Sequence, residues 1–144
     1  MNAIDFLLKE HNKVRDLLAD LNDPSHREET KRNLFETIRF ELIRHEKMEQ
    51  TIWYPKLKSN NKLFEEIKHL ISEEKDASKL IEHLNKIQNS PEWEKELLKL
   101  QKNVEHHANE EENDLFPKVK KFLDETELAM IGKEMREFKD NYRA

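Results

Sequence analysis

His45-Glu-Lys-Met-Glu49-Gln-Thr-Ile-Trp53-Tyr54-Pro55 and His107-Ala-Asn-Glu-Glu111-Glu-Asn-Asp-Leu115-Phe116-Pro117 are two renderings of one pattern. Each sets a histidine four residues before a glutamate and a proline six residues after that glutamate. Residues four apart stack on one face of a helix, so each His–Glu pair can reach a common point. The correspondence extends upstream, where His11-Asn-Lys-Val-Arg-Asp-Leu17-Leu18-Ala-Asp-Leu21 lies over Glu74-Lys-Asp-Ala-Ser-Lys-Leu80-Ile81-Glu-His-Leu84. His11 to His45 spans 34 positions and Glu74 to His107 spans 33, so the chain reads as two copies of one helix pair.

Alternating steps of three and four residues give the inward row of each helix. The first is Ile4, Leu7, His11, Val14, Leu18, Leu21, and the second is Ile38, Leu42, His45, Glu49, Ile52. The third is Leu63, Ile67, Leu70, Glu74, Ala77, Ile81, Leu84; the fourth is Leu97, Leu100, Val104, His107, Glu111, with Leu115 one step off the row. Every row is apolar except near its middle.

The breaks between rows are short. Asn22-Asp23-Pro24 ends the first helix, Ser59-Asn60-Asn61 the second, and Ser90-Pro91 supplies an N-cap with proline at the first position of the fourth. Ser25 with Glu28 and Asp124 with Glu127 have the spacing of capping boxes. The expected helices cover about 2–22, 26–59, 62–88 and 91–122, with a further one over about 125–142, in a single domain of residues 1–144. Short connections between long helices force antiparallel neighbours. The fold class is therefore all-α: an up-down-up-down four-helix bundle with a short fifth, C-terminal helix.

Composition agrees. One Gly and four Pro leave little from which to build the turns of an all-β fold. The absence of cysteine excludes disulfides, a thiolate nucleophile and thiolate-bound metal clusters, so any metal must be held by His and carboxylate. With 26 Lys+Arg against 31 Asp+Glu, the net charge of -5 argues against a nucleic-acid footprint. Apolar runs fall far short of the roughly 20 residues that span a bilayer, and the first residues do not read as a signal peptide. A soluble, cytoplasmic protein is expected.

Six ionisable groups thus point at the bundle axis: His11, His45, Glu49, Glu74, His107 and Glu111. Burying an unpaired carboxylate costs several kcal/mol as an order of magnitude, and neighbouring acids repel one another. Net stability of a domain is only about 5–15 kcal/mol. A positive charge should sit among them, and no Lys or Arg occupies these rows. A metal site is the reading preferred over a metal-free polar core.

The lone His11 and the paired His-x-x-x-Glu…Pro segments also make the chain resemble the hemerythrin-like, His-His-Glu cation-binding family. In that family an antiparallel four-helix bundle holds a non-haem di-iron centre, and a short fifth helix like Leu123-Asp-Glu-Thr-Glu-Leu128 is common. The resemblance implies two irons per chain with an oxo or hydroxo bridge. It further implies that Glu49 and Glu111 bridge the irons, that His11 and His45 bind one of them, and that His107 binds the other. The family usually places histidine in the third helix, where this chain has Glu74. Glu74 is read as the replacement ligand, against a vacant position or a role for Glu73; His69 and His83 fall off the row. More carboxylate donors favour ferric iron, which makes reversible oxygen carriage doubtful and oxidation by oxygen or peroxide more plausible.

The remaining conspicuous groups take plainer readings. Glu46, Glu73, Glu110 and Glu112 are expected to be solvated charges, one of which could orient a ligand imidazole. His106 points about 100° away from His107 on an ideal helix. Tyr54 and Phe116 are expected to pack at the end of the bundle, with a hydrogen bond from Tyr54 to an iron-bound oxygen species as the alternative. The functional expectation is binding or sensing of iron, oxygen, peroxide or nitric oxide. Two alternatives are a peroxide- or oxygen-consuming di-iron oxidoreductase and a metal-free interaction module using Leu128, Ile131, Met135 and Phe138.

Overall fold

The computed structural model describes residues 1–143, and all secondary structure among them is helical. Helix α1 covers Ala3–Leu21 and α2 covers Glu28–Met48; a π-helical turn, Glu49–Trp53, joins α2 to α3, Tyr54–Lys58. Helix α4 covers Phe64–Lys86 and α5 Ser90–Glu110; a second π-turn, Glu111–Leu115, leads into α6, Phe116–Phe122, before α7, Glu125–Asn141. The rods α1, α2–α3, α4 and α5–α6 form a closed ring, α1 against α2 and α5, α4 against α2 and α5. This is the expected four-helix bundle.

Each π-turn starts on the glutamate of a His–Glu pair and ends two residues before the proline. Proline lacks an N–H and its ring collides with the carbonyl four residues back, which disrupts an α-helical ladder. Here the chain inserts one residue instead: the Tyr54 N–H donates to the Glu49 carbonyl and the Phe116 N–H to the Glu111 carbonyl, both five residues back. The extra residue explains why Leu115 stands one step off its row. It also corrects the second row, since Trp53 and Tyr54 are fully buried while the expected Ile52 is only partly so.

Two caps differ from expectation. The Ser25 N–H and Oγ both donate to Asp23 Oδ1, at 2.9 and 2.8 Å, so the serine belongs to a turn. Helix α2 consequently starts after Arg27 without a side-chain cap. Asn89, not Ser90, caps α5, its side chain accepting from the Glu92 N–H at 3.0 Å, while the Ser90 hydroxyl donates to Glu28 and ties the starts of α5 and α2 together. The Asp124–Glu127 capping box is present.

The core divides into two apolar clusters. One gathers Leu7, Trp53, Tyr54, Leu63, Ile67 and Phe116 with α7; the other gathers Phe35, Ile38, Ile81, Leu84, Trp93 and Leu100 at the opposite end. Leu128, Ile131 and Met135 are buried in the first cluster, with Phe138 packed against it. That face of α7 is therefore occupied by α1 and the bundle end, contrary to the idea that it serves as a free interaction surface. Gly132 is where α7 meets the chain's start: a Cβ there would lie 2.8 Å from the Met1 carbonyl oxygen and 2.9 Å from the Ala3 nitrogen.

Candidate metal centre

Between the two apolar clusters lies a layer of ionisable side chains, and all six candidates from the inward rows fall in it. Glu49 and Glu111 are completely buried, Glu74 is 2% exposed, and His11 and His45 are buried. Each helical rod contributes: α1 brings His11, α2 and its π-turn His45 and Glu49, α4 Glu74, and α5 and its π-turn His107 and Glu111.

The polar atoms converge without satisfying one another. His11 Nε2 lies 3.4 Å from Glu111 Oε1, and His107 Nε2 lies 3.3 Å from that same oxygen. His45 Nε2 is 2.9 Å from Glu49 Oε1, close but not aligned as a hydrogen bond. His11 Nε2, His45 Nε2, both Glu49 oxygens and Glu111 Oε1 are buried with no hydrogen-bond partner. Orphaned groups of this kind are costly and rare in folded proteins. Five such atoms aimed into one layer fit a cation bound among them.

They fall into two groups of three, His11–His45–Glu111 and Glu49–His107–Glu111, whose donor atoms lie within 4.8 Å of one another. The groups share Glu111. Glu74 sits beside the second, Oε2 3.2 Å from His107 Nε2, with Oε1 accepting from Gln50 Nε2 at 2.9 Å. Tyr54 also reaches the layer, which corrects its reading as bundle-end packing alone. Its Oη lies 3.2 Å from both Glu111 Oε2 and His107 Nε2 and 3.4 Å from Glu74 Oε2, with one proton to donate among them.

Burial and then Glu49 push the Glu74 carboxyl up to about 8, and burial and then Glu74 do the same to Glu46. Burial works against protonated His45 and His107, yet the facing carboxylates overcome it and hold both imidazoles protonated well above their ordinary range. A bound cation would take over that role.

Each candidate histidine has a carboxylate behind it. His11 Nδ1 pairs with Glu112 Oε2 at 2.7 Å, His107 Nδ1 with Glu73 Oε1 at 2.9 Å, and His45 Nδ1 approaches Glu10 Oε1 at 3.6 Å. Such partners fix the tautomer and aim Nε2 at the centre. Glu46 and Glu73, expected as solvated charges, are buried; Glu46 accepts from Ser78 Oγ at 2.9 Å. Glu10 carried no signal in the rows, being one residue off them. Burial raises its pKa, but His45 and Lys139 of α7, whose Nζ donates to it at 2.7 Å, hold it at about 2. Phe116 stacks on the His11 ring at 6.1 Å between centroids.

Glu112→Ala, which frees the His11 ring, is expected to weaken metal binding by about 10–100-fold. Competition against a chelator of known affinity measures this, and an unchanged affinity would remove Glu112 from the support of the site.

Among the described residues, no helix is long and apolar enough to cross a membrane. Comparison with curated proteins and with solved structures finds no match. Comparison with protein families finds one, the hemerythrin HHE cation binding domain, over residues 2–119, the stretch that carries α1 to α5, the first turn of α6 and the six residues of the inward rows. The chain belongs to the hemerythrin HHE cation-binding domain family.

Proposed function

We propose that the polar layer is a carboxylate-rich dinuclear non-haem iron centre that binds or senses a small ligand such as oxygen, peroxide or nitric oxide. The observation that carries this reading is the pair of three-residue groups sharing Glu111, with the orphaned buried atoms of His11, His45, Glu49 and Glu111. In it, His11 and His45 serve one iron, His107 and Glu74 the other, and Glu49 and Glu111 lie between. When bound, iron supplies redox chemistry and open coordination positions. The chain's own residues hold the geometry: Glu112, Glu73 and Glu10 aim the imidazoles, and Gln50 and Tyr54 orient Glu74 and Glu111.

The size of the adjoining cavity supports a small ligand. It measures about 40 Å³, is bordered by His11, His45, Glu74 and His107, and its remaining wall includes Val14, Leu42 and Ala77. A single water needs only roughly 10–15 Å³, so a diatomic molecule or peroxide has room there.

A second reading, an oxidoreductase that consumes oxygen or peroxide, is favoured by one feature, the third carboxylate at the second position. Glu74 replaces a neutral nitrogen donor with a hard anionic one, which stabilises ferric over ferrous iron. Anaerobic loading with ferrous iron, then metal analysis and exposure to peroxide with and without reductant, tests both. One iron for each of the two groups, with near-ultraviolet oxo-bridge absorption, is the expected result. A folded chain that takes up no iron would overturn the proposal, and sustained turnover with reductant would select the oxidoreductase.

A further inference from the structure

Behind His107, on the outer faces of α4 and α5, a second constellation of metal-binding residues stands apart from the inner layer. Helix α4 carries His69 and Glu73, α5 carries His106 and Glu110, and each His–Glu pair is spaced four residues apart. The two pairs lie side by side. His69 Nε2 is 3.3 Å from Glu73 Oε2 and 3.3 Å from Glu110 Oε2. His106 Nε2 is 3.2 Å from the same Glu73 oxygen and touches the other oxygen of Glu110.

We propose that His69, Glu73, His106 and Glu110 form a mononuclear site for a borderline divalent cation of the zinc or ferrous class. The donor set, two imidazoles and two carboxylates, is one such ions accept in tetrahedral coordination. Metal–ligand bonds of about 2.0–2.1 Å place neighbouring donors of a tetrahedron about 3.3 Å apart. The separations of His69 Nε2 from Glu73 and Glu110, and of His106 Nε2 from Glu73, are close to that edge, while the His106–Glu110 contact is shorter. His69, Glu73 and Glu110 already hold donor atoms within 4.8 Å of one another, and the exposed ring of His106 supplies the fourth by rotation about its own side chain.

Glu73 joins this site to the inner layer. Its Oε1 accepts from His107 Nδ1 at 2.9 Å while its Oε2 faces His69 and His106. A cation outside would thus share a carboxylate with the residue that aims His107. Only this coupling rests on the dinuclear reading; occupancy of the outer site does not.

Cobalt(II), whose tetrahedral complexes absorb intensely in the visible, is the probe. It is titrated into the iron-loaded chain and, separately, into the metal-free Glu111→Gln chain, with calorimetry alongside. One tetrahedral cobalt per chain is expected in both. Adding His69→Ala and His106→Ala, both at exposed positions, should weaken that cobalt by at least about 100-fold, since half of a four-ligand set is lost. Cobalt that binds without the tetrahedral spectrum, or that ignores the two histidine substitutions, would overturn the outer site. A chain that binds cobalt in this way yet takes up no iron would instead refute only the dinuclear reading.

Discussion

The Glu111→Gln chain is expected to bind iron at least about 100-fold more weakly than the wild type at both inner positions, beyond the loss caused by removing an outer partner. The substitution conserves volume but removes the anionic charge from the one residue common to both donor groups. His107→Ala should differ, emptying mainly the position it serves and leaving the His11–His45 side able to hold iron. The amide conserves the buried volume and relieves repulsion between Glu49 and Glu111 but removes an anion that faces His107, so circular dichroism of the apo-variant accompanies the metal measurement. Metal analysis of the variants after identical reconstitution decides the matter, and full iron content in Glu111→Gln would break the shared-carboxylate assignment. The same logic bears on stability. A metal held at about 1,000 times its dissociation constant contributes about 4 kcal/mol, so chelation of the wild type should lower Tm by on the order of 10 °C.

Gly132→Ala is expected to destabilise the chain by about 1–3 kcal/mol, although alanine is the better helix former by about 1 kcal/mol. The added methyl would stand 2.8–2.9 Å from backbone atoms of Met1, Asn2 and Ala3, which no rotamer change can clear. Nor is that backbone free to withdraw. Asn2 caps α1 through the Asp5 N–H, and Arg136 Nη1 donates to the Met1 carbonyl at 2.8 Å. Gly132→Val should cost more and lift α7 from α1. Lys133→Ala, on an exposed position of the same helix, should stay within about 0.5 kcal/mol of wild type. Chemical denaturation measures all three, and a stabilised Gly132→Ala would mean that the helices separate easily at this point.

The inward rows were legible because burial imposes a period that solvent-facing residues do not obscure. The whole row of α4, from Leu63 to Leu84, is buried as its spacing predicts. Register beyond Glu49 was not, because a π-turn adds a residue that the three-four alternation cannot anticipate. Its only traces were the repeated proline and the displaced Leu115. Within the polar layer, the six row residues were visible as ionisable groups where apolar ones belong. Glu10 was not, since its burial depends on α7 bringing Lys139 across the bundle, a docking that no local pattern encodes. Tyr54 reaches Glu111 only because the π-turn rotates it inward. His106 was set off the inner row, and its place near His69 emerges only when α4 and α5 pair.

The π-turns also make length, rather than residue identity, the quantity these two segments must keep. Deleting any one residue between Glu49 and Pro55 would remove the residue that the π-turn inserts ahead of the proline and turn everything downstream by about 100°. Tyr54 and Leu57, now buried, would swing away from the axis, and α4 would be launched from the wrong side of the bundle. The same deletion in residues 22–27 would merely shorten a surface connection. An indel that looks harmless in an alignment is therefore a change of rotational phase in the one place and of slack in the other.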